Sequence, residues 1–139
     1  MIVLDTNVIS AIPESAAHRR VQAWLDEHPA SSFCATAISL AEISFGIERL
    51  PVGRRKDTLR NEMDQVFATY FQNRILPFDE QAARTYGRIV ADARARGRSI
   101  LIADGQIAAI AQSRGLTVAT RDTGPFEAAG VPVINPWML

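Results

Sequence analysis

Short apolar runs and helix-period stretches take turns along this chain from end to end, and that alternation limits its fold more than any other feature. Ile2–Leu4, Ser32–Ala35, Arg74–Phe78, Leu116–Thr120 and Val131–Ile134 each read as strands, the third weakened by Pro77. Between them apolar residues recur at helical spacing. Val21, Trp24, Leu25 and His28 share one stripe, and Ala82, Tyr86, Ile89, Val90 and Ala93 share another. Leu40, Ile43 and Ile47, then Leu59, Met63, Val66 and Tyr70, mark two helices broken at Pro51-Val52-Gly53, a helical hairpin over about residues 39–72. Gly97 and Gly115 read as helix stops, the second closing a helix that begins near Asp104. Strands alternating with helices predict an α/β fold, a central parallel sheet with helices on both faces. A length of 139 residues suits a single domain, 1–139, and no repeat or linker interrupts it.

Composition excludes more than it suggests. Fifteen basic residues balance fifteen acidic ones, so net charge points to no partner. Cys34 is the only cysteine, which rules out an internal disulfide and a cysteine-based zinc site. It stands in Phe33-Cys34-Ala35, a run that reads as buried strand, so packing is its expected role. No run approaches the roughly 18 apolar residues of a membrane span, and Asp5 interrupts the opening apolar run. A cytoplasmic protein without a membrane partner is the expectation. Arg54, Arg55, Lys56 and Arg60 form a basic start to the second hairpin helix. Such a cluster can meet phosphate, although a solvated face is the commoner outcome.

The chemistry lies in the acids. Eleven of the fifteen fall on helix ends or faces that water can reach. Asp5 ends the first strand, and Asp122 follows Leu116–Thr120 within two residues, so parallel strands bring both to one edge of the sheet. Ligands of open α/β sheets bind at that edge. Asp104 follows the strand-like run Ile100–Ala103 and shares a helical stripe with Ile107, Ala108 and Ala111, the core side, where an unpaired carboxylate is costly. Glu42 lies one turn before Gly46, which leaves open space beside it. Each has a plain structural alternative. Asp5 and Asp104 could be helix N-caps, Ser39-Leu-Ala-Glu42 matches a capping box, and Asp122-Thr-Gly could be a turn. Taken together, a cluster of like charges requires a cation or raised pKa values. With only oxygen ligands on offer, Mg²⁺ or Mn²⁺ is the natural ion, and such sites suit phosphodiester hydrolysis.

Ile2-Val-Leu-Asp-Thr-Asn7, Ala41-Glu42, Ile102-Ala-Asp-Gly105, Ala119-Thr-Arg-Asp122 and the closing Val133-Ile-Asn-Pro-Trp137 resemble PIN-domain proteins, in particular the VapC/FitB-type toxins of bacterial toxin–antitoxin pairs. The resemblance spans the chain, with the acids in the expected order. It implies a PIN-like fold and a Mg²⁺-dependent endoribonuclease, Mn²⁺ substituting, that cleaves RNA and inhibits translation. It also implies a homodimer and a small VapB-like antitoxin through which operator DNA is reached. Carried over by position, Asp5, Glu42, Asp104 and Asp122 are the catalytic and metal-holding acids, and Asn7 and Thr120 support them. One departure is that many relatives have another acid near the place of Pro125.

Three rivals are weaker. A receiver domain needs a lysine late in the chain, and Lys56 is the only one. A haloacid-dehalogenase-type phosphatase wants a second acid where Asn7 stands. A catalytically weak regulatory or DNA-associated module working through its partner would have no need of all four acids.

Overall fold

The computed structural model describes residues 1–139. Five strands, β1 (Ile2–Leu4), β2 (Phe33–Thr36), β3 (Ile75–Leu76), β4 (Thr117–Ala119) and β5 (Val133–Ile134), form one sheet in the order β3-β2-β1-β4-β5. Every neighbouring pair is parallel. The connections are helical: α1 (Thr6–Ala11), α2 (Arg19–Asp26), α3 (Ala37–Glu48), α4 (Arg54–Tyr70), α5 (Glu80–Ala95), α6 (Ile102–Ser113) and α7 (Gly124–Ala128). The expected α/β layering and the hairpin of α3 and α4 are both present.

Alternation of side chains along the strands divides the core in two. Leu4, Phe33, Ala35 and Ala119 face one side, where Val8, Val21, Leu25, Ile43, Ile47, Met63 and Val66 cover them. Val3, Cys34 and Val118 face the other, under Ile89, Ile107, Ala108, Ala111 and Phe126. Cys34 is buried, and burial pushes its thiol up to about 11, which fits a packing role. Gly97 and Gly115 take positive φ, 76° and 67°, just past α5 and α6, a conformation that costs glycine little.

One expectation and one structural alternative are corrected. Ile100–Ala103 is not a strand. Leu101 is the extended N-cap residue of α6, and the helix already includes Ile102 and Ala103. A run of four apolar residues does not by itself make a strand, and here its last two residues open the helix while Leu101 and Ile102 stay 76% and 68% exposed. The capping box Ser39–Glu42 does not form either. Thr36 caps α3 by accepting the Ser39 N–H at 3.1 Å, which places Glu42 beyond the first turn. The short helix α7, with a proline at its start, had no signal in the apolar pattern.

Edge strand β3 is only two residues long, and Arg74 anchors it. Its guanidinium donates to the carbonyls of Phe33 at 2.9 Å, Tyr70 at 2.8 Å, Ala30 at 3.2 Å and Gln72 at 3.3 Å. One side chain thus ties the end of α4 to β2 and the turn before it. Hydrogen bonds to a charged donor contribute about 1.5–3 kcal/mol each but not additively. Arg74→Ala should therefore lower stability by about 2–4 kcal/mol, read from the urea midpoint. Arg74→Lys, with no planar fork, should recover less than half of that loss.

Candidate active site at the carboxyl edge of the sheet

Parallel pairing of β1 with β4 sets Leu4 opposite Ala119, and the Asp5 N–H continues the ladder to the Ala119 carbonyl at 2.9 Å. Asp5 and Thr120 therefore leave the sheet side by side. Asp5 is 4% exposed. Its Oδ1 accepts the Thr6 N–H at 2.8 Å, so it does help to start α1. Its Oδ2 accepts the Thr120 hydroxyl at 2.8 Å and the Asn7 amide at 3.3 Å. Burial raises its pKa. The bonds from Thr120 and Thr6 oppose that rise, and the charges of Glu42 and Asp122 add to it. The capping reading and the chemical reading of Asp5 are thus compatible.

Asn7 and Thr120 each make a second link. Asn7 Oδ1 accepts the Arg121 N–H at 3.1 Å, and Thr120 Oγ1 accepts the Asp122 N–H at 3.0 Å. Together they fix the loop that carries Asp122, whose side chain is exposed. Pro125 stands in the first turn of α7 just beyond it.

Glu42 reaches the site from α3. Its Oε1 accepts the Thr6 hydroxyl at 2.7 Å, and Ser39 Oγ lies 2.9 Å from the same hydroxyl. Thr6 and Ser39 were not singled out as site residues in the sequence. The signal for Thr6 was its place directly after a strand-ending acid. The space beside Gly46 is open, as its spacing suggested, and belongs to a cleft of about 310 Å³ that Thr6, Glu42, Arg49 and Arg55 also line.

Asp104 lies in the first turn of α6 but does not cap it, because Leu101 is the cap residue and no side-chain bond forms there. Burial first, then the charges of Asp5, Asp122 and Glu42, push its carboxyl up to about 6. A helix N-terminus favours the ionised form, so burial and the three acids outweigh it. The charges of Asp5, Asp122 and Glu42 thus all act on Asp104, although as the side chains stand no three of the four acids close around a single point. Mutually repelling, oxygen-only ligands at a sheet edge suit a hard divalent cation.

A family model described as PIN domain matches residues 2–131. The chain is 44% identical to the VapC ribonuclease Y4jK of Sinorhizobium fredii, over 99% of this chain and 98% of that one. It is 46% identical to toxin FitB of Neisseria gonorrhoeae, over 99% of both. The solved structure of FitAB bound to an IR36 DNA fragment superposes with a TM-score of 0.93 at 46% identity, covering 100% of this chain and 97% of that one.

The raised Asp104 carboxyl has a consequence for stability. It binds its proton more tightly in the folded chain, near 6, than at its ordinary value of 3.8. Stability from this group is therefore lost as pH rises between those two values and stays lost above them. In EDTA, Asp104→Asn should raise the melting midpoint at neutral pH by a few degrees, and the gain should fade toward about pH 4. Calorimetry across that range checks it, and parallel pH profiles for the two proteins would remove Asp104 from the cluster.

Proposed function

The chain belongs to the PIN-domain family, and from that premise we propose that it is a metal-dependent endoribonuclease, the toxin of a VapBC-type toxin–antitoxin pair. The observation that carries this reading is Asp5 held beside Thr120 at the carboxyl edge of a parallel sheet, with the charges of Asp5, Asp122 and Glu42 all acting on Asp104. Relatives of nearly equal length are a VapC ribonuclease and a toxin. A partner-dependent module without turnover is not favoured, since the relatives matched over nearly their whole length are named a ribonuclease and a toxin.

Asp5, Glu42, Asp104 and Asp122 are the residues that would hold Mg²⁺, or Mn²⁺ in its place. When bound, such an ion lowers the pKa of water and polarises a phosphoryl oxygen. The chain's own residues set the scene for that chemistry. Thr120 and Thr6 orient the Asp5 carboxylate, and Oδ1, which accepts only the Thr6 N–H, keeps acceptor capacity to spare. The Thr6 hydroxyl steadies Glu42 through Oε1 and leaves Oε2 unengaged. Asn7 holds the loop of Asp122 against β1.

The partner is a small VapB-like, DNA-binding antitoxin, and operator DNA is reached through it. The DNA-bound FitAB complex supports this. A cationic side chain of the antitoxin placed among the acids would silence the enzyme, because it replaces the charge of the ion. The working form is a homodimer. Phe45 on α3 and Leu101 and Ile102 at the start of α6 are 67%, 76% and 68% exposed, large apolar side chains that a second subunit would cover.

Purified protein should cleave RNA with Mn²⁺ and fail to do so in EDTA. Asp5→Asn should fold normally and lose cleavage by at least about 100-fold, the upper end of what loss of a ligand's support costs a metal site. Full activity of a folded Asp5→Asn protein, or activity indifferent to EDTA, would refute the metal-dependent reading.

A further inference from the structure

RNA is a polyanion, and beyond the single phosphate that a bound cation would meet, its backbone needs cationic side chains of the chain to offset the acids. Arginines are plentiful here, but several are committed elsewhere. Arg74 binds backbone carbonyls within the fold, and Arg60, Arg84 and Arg114 pair with carboxylates on helix faces.

Arg121 is placed differently. It lies between Thr120 and Asp122, and its backbone is held on both sides. Its N–H donates to Asn7 Oδ1 at 3.1 Å, and its carbonyl accepts from Asn135 Nδ2 at 3.5 Å. The residue is exposed, and its guanidinium pairs with no carboxylate even though Asp122 is next in the chain. Instead the guanidinium carbon stands 4.9 Å from the centre of the Trp137 ring. Trp137 is itself fixed three ways. Its indole N–H donates to His18 Nδ1 at 3.1 Å, its backbone N–H donates to Asn135 Oδ1 at 3.0 Å, and its carbonyl accepts from Arg20 at 3.2 Å.

An arginine stacked on a rigid indole has lost much of its rotamer freedom before a ligand arrives, which lowers the cost of binding. The guanidinium donates to no acceptor of the protein, so its N–H groups are free, and such an N–H edge fits a phosphate with two parallel bonds. We propose that Arg121, braced on Trp137, is the residue that grips a backbone phosphate of the RNA beside the acidic site. This rests on the ribonuclease reading above. A phosphate contact of this kind positions the strand and reads no base.

The test measures anisotropy of a short labelled single-stranded RNA with the full-length Asp5→Asn protein, across a range of salt with Mg²⁺ present. Cleavage kinetics are followed in parallel with Asp5 intact. Arg121→Ala should weaken binding about tenfold and reduce the salt slope by about 0.7, the loss of one phosphate contact to a single strand. In cleavage it should raise KM and leave kcat within about twofold. Arg121→Lys should keep the slope and recover only part of the affinity. Trp137→Phe, which keeps a ring face, should bind better than Trp137→Leu, with the slope the same in both. Unchanged affinity and slope in a folded Arg121→Ala protein would overturn the proposal. So would a loss confined to the antitoxin complex, which would assign this surface to the protein partner. An intact Asp5 protein that cuts no RNA, yet binds it with an Arg121-dependent slope, would sink the ribonuclease reading and leave the phosphate contact standing.

Discussion

The hydrogen bond from the Thr120 hydroxyl to Asp5 Oδ2, 2.8 Å long, joins the ends of two strands lying 115 residues apart in sequence. Everything at the site depends on the register that permits it, Leu4 opposite Ala119. A slip of one residue would turn Thr120 to the other face of the sheet and leave a buried carboxylate without its best donor. The bond also marks a balance. Burial drives Asp5 toward the protonated form, and donors from Thr120 and Thr6 pull the other way. Burial prevails, so the pKa stays raised, and on the proposed reading a bound cation would bring it down again.

Depth of the second aspartate is set by packing. A Cβ on Gly105 would stand 2.9 Å from the Tyr86 ring, so only glycine lets the first turn of α6 lie this close to α5. Glycine inside a helix costs about 1 kcal/mol relative to alanine. The chain accepts that cost directly after Asp104. Burial first, and then the charges of its three acidic neighbours, raise the pKa of the adjoining Asp104. A local propensity rule is broken at the point where the site needs the space.

Much of this was legible in the residues themselves. Layering followed from strands alternating with helices, and the edge position of Asp5 and Asp122 followed from parallel strands. Asp104 stood out because it interrupts an apolar stripe. What misled was local pattern without tertiary context. Ile100–Ala103 has the apolarity of a strand, but the sheet is complete without it and the segment opens a helix. Ser39–Glu42 has the spacing of a capping box, but Thr36 takes the capping bond and Glu42 turns to Thr6. Contacts that join distant segments, such as Thr6 with Glu42 or Arg121 with Trp137, have no periodic signature and emerge only once the sheet has set the register.

The whole chain carries no net charge, so function here depends on where charge is segregated. The charges of four carboxylates reach one another near Asp104, while arginines without an ion-pair partner lie close to two of them, Arg121 next to Asp122 in the chain, and Arg49 and Arg55 in the cleft that Glu42 lines. No ion pair joins these arginines to the four acids. Direct pairing would quiet both sets and leave nothing for a ligand to neutralise. Keeping them apart makes the surface complementary to a ligand that is itself divided, a divalent cation with a phosphate backbone around it. On the proposed reading, an antitoxin that inserts a cationic head satisfies the acids alone. The arginine rim is then left to whatever acidic groups that partner brings, so inhibition and catalysis draw on the same carboxylates but differ at the rim.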